Sequence, residues 1–200
     1  QALGLSIGTT ATPFYQDISF KINGGDTKFG KFTLFGLGGT SQIDFSHKKT
    51  DTTDLFADPT KDSYFTSNIG LVGMKHFIRI NEKSYVNTVI GATYAASNYD
   101  EDTISTSDEA ARVLENKVTQ TRYSINSSLN TKINSRWFIK AGIIEEIINL
   151  NLFYRSRQYT PNWLQIWDYN DFTSLVQAYV HSKYSITSKM VLNAGIHTQY

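Results

Sequence analysis

Two adjacent carboxylates, four histidines and one glycine-rich run are the residues of this 200-residue chain best equipped for chemistry. Glu145 and Glu146 are neighbours, so in a strand they point to opposite faces and cannot act as a carboxylate pair. His47, His76, His181 and His197 are far apart, and none shows the helical spacing of a metal pair. His181 and His197 fall on one polar face of a hairpin and could share a metal, but solvated histidines are the simpler reading. The run GLGGTS at 36–41 lacks the lysine and following helix of a phosphate loop. Small residues that let a twisted strand bend account for it better. Cysteine is absent, which excludes thiolate metal sites and disulfides. The expectation is a protein without catalytic residues, metal or cofactor.

Binding has better material. FYRSRQYTPNWLQIWDYNDF at 153–172 carries Arg155, Arg157, Tyr159, Trp163, Trp167 and Tyr169. Rings interleaved with guanidiniums could stack on a sugar or grip an anionic ligand. The competing reading packs the same rings onto the loop itself or into an interfacial girdle. These six are the candidate ligand-binding residues. The acidic stretch YDEDTISTSDE at 99–109 could hold a cation, although a solvated loop is the commoner outcome for such a segment. With 19 Lys+Arg against 18 Asp+Glu, the net charge of +1 gives no reason to expect nucleic acid.

The elements that must position these residues are strands. Aromatic residues make up 14% of the chain and proline only three positions, a composition committed to β-structure. Period-2 alternation runs through about eight segments: 13–23, 29–46, 63–79, 84–99, 116–131, 136–153, 171–185 and 189–200. Short turns are expected at 24–28, 80–83, 133–136 and 186–188, and long polar loops at 47–62, 99–115 and 154–170. The breaks INEK, INSR and ITSK place Asn81, Asn134 and Thr187 at equal intervals of 53 residues. Within 99–115, Thr106 and Glu109 have capping-box spacing and predict a turn or two of helix. In GIIEEIINLNLFY the alternation changes phase, as a bulge, a strand leaving a bilayer or an amphipathic helix would make it do.

Long loops on one side and short turns on the other are the asymmetry of outer-membrane barrels. The mean hydropathy of −0.32 agrees, because outward apolar residues alternate with inward polar ones. Trp137, Phe138, Tyr85 and Tyr184 stand beside the short turns, where a girdle is expected. If the short turns are periplasmic, both ends of the strand set lie outside the cell, and an extra strand from ALGLSIGTT would mend only one end. Residues 1–200 are thus expected to be an internal part of one larger barrel domain, with no plug and the remaining strands elsewhere.

IGTTATPFYQDISFKI followed by GKFTLFGLGGTSQIDF, with IKAGIIEE, FYRSRQYTP and SKMVLNAGIHTQY, resembles the barrel of TonB-dependent outer-membrane receptors of the Bacteroidota type. The resemblance runs along nearly the whole chain and consists of barrel texture. It implies an all-β, antiparallel up-and-down barrel of 22 strands that imports a scarce nutrient (siderophore, glycan or peptide) in the bacterial outer membrane. It also implies outer-membrane lipid as surroundings, the TonB complex as a partner through the plug, and a surface lipoprotein or other envelope protein as a further partner. A structural or adhesive envelope barrel, and a soluble secreted glycan-binding β-protein, are the alternatives.

Overall fold

The structure, a computed structural model, describes Ala11, residues 13–49 and residues 58–200. Eight antiparallel strands form one sheet in chain order: β1 (Phe14–Asn23), β2 (Lys31–Phe45), β3 (Lys61–Arg79), β4 (Ser84–Ile104), β5 (Ala110–Lys132), β6 (Trp137–Ser156), β7 (Leu164–Ser185) and β8 (Val191–Gln199). One 3-10 turn, His47–Lys49, follows β2. Among the described residues each strand pairs only with its neighbours in sequence, which puts β1 and β8 at the two ends of the strand order. The segment ALGLSIGTT and part of the expected 47–62 loop fall outside the described residues.

The three evenly spaced breaks share one turn chemistry. Asn81, Asn134 and Thr187 each accept, through the side-chain oxygen, the backbone N–H two residues on, at 2.9, 2.9 and 3.2 Å. Ile80, Ile133 and Ile186 each close the hairpin by donating a backbone N–H to the residue four ahead, 2.9 Å in every case. A short polar side chain that replaces a backbone turn bond is why Asn and Thr occupy this position.

Two expectations are corrected. Residues 99–115 do not form a long loop with a helical turn. β4 and β5 continue to Ile104 and Ala110, joined by a tight turn that Ser105 organises by accepting the N–H groups of Ser107 and Glu109. Asp108 takes the left-handed conformation there, with φ 64°. Likewise the loop expected at 154–170 shrinks to residues 157–163. The distinction between the two ends of the sheet lies in strand length: β4 to β7 run 20 to 23 residues, about twice what a tilted strand needs to cross a bilayer.

Facing residues identify the two surfaces. One, which we call outer, carries on β6 Trp137, Ile139, Ala141, Ile143, Glu145 and Ile147, and then Asn149 and Asn151. Their β5 neighbours follow suit: Leu129, Ile125 and Tyr123 give way to Thr121, Thr119 and Lys117. The inner face in the same half is polar, with Lys75, Arg79, Asn126, Ser128, Asn130, Lys140 and Lys183. Accessibility runs opposite to that of a soluble protein: Leu129 is 44% exposed, whereas Ser128 and Asn130 beside it are 6% and 4% exposed. A curved sheet that gathers polar side chains on its concave side and spreads apolar ones on its convex side produces this reversal. Buried hydrophobic residues among those described are limited to Ala11, Ala96, Val113 and Leu114.

Beyond Ile147 the faces exchange character. Ile148, Leu150, Leu152 and Tyr154 are inner, opposite Thr173, Asp171, Tyr169 and Trp167. The phase change in GIIEEIINLNLFY is therefore an uninterrupted strand passing out of the apolar belt; the bulge lies later, between Tyr154 and Arg155. The girdle expectation is half corrected: Trp137 and Tyr184 pair on the outer face, but Phe138 opposes Lys183 on the inner one. Tyr85 is also inner, its ring 5.3 Å from that of Phe77.

Candidate functional site

The loop-side half of the sheet brings the sequence-predicted residues together in two groups. Trp163 belongs to the rim: the guanidiniums of Arg155 and Arg157 sit 4.4 and 5.0 Å from its ring. Arg155 also holds Glu115 across the strand pair at 2.9 Å, and Arg157 donates to the Arg112 carbonyl at 2.6 Å. The second group is on the inner face, where Trp167 and Tyr169 oppose Tyr154 and Leu152. The Tyr154 and Trp167 rings lie 5.6 Å apart and tilted. Tyr159 joins neither group; it is 95% exposed.

The inner group extends farther than the sequence motif. Ile43, Phe65, Tyr99, Asn116, Tyr154 and Trp167 form one row across β2 to β7 by direct pairing. Phe65 and Tyr99 went unnoticed because each belongs to a different strand, 34 residues apart. Only the register aligns them. The signal that could have found them is the inversion of polarity between faces, read strand by strand.

A collar of ion pairs holds this half in shape. Arg112 bridges Asp100, at 2.6 Å, and Asp102. Lys61 and Gln158 both reach Glu101, whose other oxygen accepts the Tyr99 hydroxyl at 3.0 Å. His47 is held on both sides, its Nδ1 2.7 Å from Asp62 and its Nε2 2.8 Å from Asp108. Lys48 adds a 3.1 Å contact to Asp108. Asp100, Glu101, Asp102 and Asp108 thus have internal cationic partners, which leaves an external cation little to neutralise there.

These groups stand clear of the apolar belt, and their protonation follows the pairing. The hydrogen bond to Asp62, then that to Asp108, raises His47 above its usual value. Asp108 is lowered by its bonds to His47 and Lys48. Burial pushes Asp62 up, but the His47 backbone and ring hydrogen bonds outweigh it and leave its carboxyl low. Glu115 is lowered by Arg155, and the Tyr99 hydroxyl is raised, first by burial. Chemically, the surface offers aromatic faces for stacking, with fixed charges at its edge.

His181 and His197 share the inner face near the short turns, opposite Gly195 and Tyr179, and His197 contacts the Gln177 amide oxygen at 2.9 Å. Glu145 and Glu146 point to opposite faces, and Glu146 pairs with Arg122.

No family model and no curated protein matches the chain. Solved structures do: the crystal structure of the Pseudomonas putida toluene transporter TodX aligns with a TM-score of 0.51 at 10% identity. The match covers 95% of this chain and 56% of that one, so the chain spans little more than half the length of that transporter. At such identity the likeness concerns fold alone: the chain has the antiparallel up-and-down strand arrangement of a barrel wall.

Proposed function

We propose that the chain forms part of a bacterial outer-membrane barrel that carries a small cargo through its lumen. The observation that carries this reading is the reversed accessibility of the belt, with the apolar face exposed and the polar face covered. The fold likeness to a toluene transporter supports transport as the task. The inner face of the loop-side half sets aromatic and aliphatic residues among polar ones, which suits a cargo that presents rings beside polar groups, with Trp167 and Tyr169 among its first contacts. Import energised by TonB through a plug, with a surface lipoprotein as co-receptor, is the finer form of the proposal and rests on the sequence resemblance. An exposed apolar belt disfavours a soluble glycan-binding protein.

The test is uptake. The intact protein should fractionate with the outer membrane, shift in gel mobility on heating, and confer saturable entry of cargo on proteoliposomes. Recovery as a soluble monomer without detergent would refute the membrane reading. Cargo entry into cells that does not change when TonB is deleted would remove the finer form alone.

A further inference from the structure

The inner face near the short turns is basic to a degree that its own acids do not balance. Lys21, Lys75, Arg79, Lys140 and Lys183 all lie on it. The carboxylate within that half, Glu146, is occupied by Arg122 at 3.3 Å. Like charges gathered on a concave, low-dielectric wall reinforce one another's field.

At one place this field meets a cavity. The turn after β1 folds against the end of β3 and encloses a cleft of about 640 Å³ lined by Lys28, Lys31, Lys75 and Arg79, with Asp26 as its acid. Asp26 neutralises Lys31 at 2.9 Å, which leaves three cations without a carboxylate among the described residues. The roof is fixed. Thr27 closes the turn through its hydroxyl, which donates to the Gly30 carbonyl at 2.7 Å, and the His76 ring is hydrogen-bonded to the Phe29 carbonyl at 2.7 Å. The His76 ring also stacks on Phe32 at 4.4 Å. The basic side chains that line the cleft are themselves solvent-exposed, so a soluble anion can reach them directly.

We infer that this cleft is a binding site for a soluble phosphate-bearing small molecule. Arg79 supplies a planar fork that matches two oxygens of a phosphoryl group, and Lys28 and Lys75 supply point charges. The volume is that of a small-molecule pocket and exceeds what a bare ion fills, so the phosphate is carried on a larger body or on a second phosphate. The site lies at the far end of the lumen face from the aromatic row and does not depend on the transport proposal.

Pyrophosphate is the probe, titrated calorimetrically against the intact protein in zwitterionic detergent. Saturable binding that weakens with salt is expected. Lys75→Gln combined with Arg79→Gln should lower affinity by about tenfold or more, whereas Arg136→Gln, at a different short turn, should change it less than about twofold. Heat-modified gel mobility reports whether the double variant folds, and Lys75→Gln alone carries the test if it does not. Absence of saturable binding, or binding indifferent to both substitutions, overturns the site. Binding of anionic-lipid nanodiscs, sensitive to the same two substitutions and without any pyrophosphate binding, overturns the soluble ligand in favour of a lipid headgroup. Pyrophosphate binding without cargo uptake would count against the transport proposal only.

Discussion

Glu146 lies 3.3 Å from the Arg122 guanidinium on the covered face, while Glu145, the preceding residue, stands outward between Ile125 and Val176. One peptide bond separates two solvents. No described residue offers Glu145 an ionic partner. Glu145→Leu should therefore stabilise the barrel in lipid by about 1 kcal/mol. Glu146→Leu, which leaves Arg122 alone, should destabilise it by roughly 1 kcal/mol. Urea titration of the protein folded into vesicles measures both, and shifts of the same sign would contradict the assignment of faces.

The His47 clamp should be pH-dependent in a defined direction. His47 is raised from 6.5, so its contribution is complete below that value and is lost as pH climbs through the raised one. Asp62 and Asp108 are lowered from 3.8, so theirs is present above that value and fades only as pH falls through the depressed ones. The clamp is thus firmest between these limits and loosens as pH climbs through the raised His47 value. An NMR titration of the His47 ring should give a midpoint above 6.5, moving down in Asp108→Asn. A midpoint unmoved by that substitution would mean the contact is not made in solution.

Gly30 has φ of +102°, and a Cβ there would come within 2.3 Å of the Phe77 carbonyl oxygen. Both the backbone angle and the space exclude a side chain. Gly30→Ala should cost about 2 kcal/mol, with the loss centred on the turn after β1 and its contact with β3. Hydrogen exchange at Thr27 and Gly30, whose backbone bonds close the turn, would register it. Unchanged protection there would show that the turn has another arrangement.

Aromatic substitutions should separate the rim from the lumen face. Trp163→Ala removes the ring between Arg155 and Arg157 and should cost about 1 kcal/mol of local stability. Its effect on cargo entry should be small. Trp167→Ala and Tyr169→Ala should each slow entry by roughly fivefold or more through lost stacking, and Tyr159→Ala should do nothing measurable. Initial uptake rates in proteoliposomes decide the matter; a reversed ranking would place cargo recognition in the loop.

The strands near the short turns were legible because two faces of opposite chemistry make alternation visible. Asn81, Asn134 and Thr187 marked their ends through a single turn type. The continuation of β4 past Tyr99, and of β5 ahead of Asn116, was not legible. Asp100 and Asp102 are outer and Glu101 is inner, so polar residues follow one another without a period. Its stability comes from Arg112 and Lys61, on the neighbouring strands. The candidate site suffered the same loss: Trp167 and Tyr169 were visible as a local cluster, but Phe65 and Tyr99 join them only through register. On β6, Ile147 and Ile148 looked like a fault in the pattern. They are where the apolar residues pass from the outer face to the inner one.

The length of β6 beyond that crossing has a consequence for approach. Nine residues run from Ile147 to Ser156, and at about 3.3 Å each, on a tilted strand, they raise the rim roughly 20 Å above the apolar belt. The mouth is thus a chimney whose outer wall is braced by Arg112 with its two aspartates and by Arg155 with Glu115. With no acyl chains pressing against it, that masonry has to keep the wall upright by itself. On the proposed transport reading, a solute would enter over the parapet from bulk water and meet the row of Phe65, Tyr99, Tyr154 and Trp167 only after descending inside.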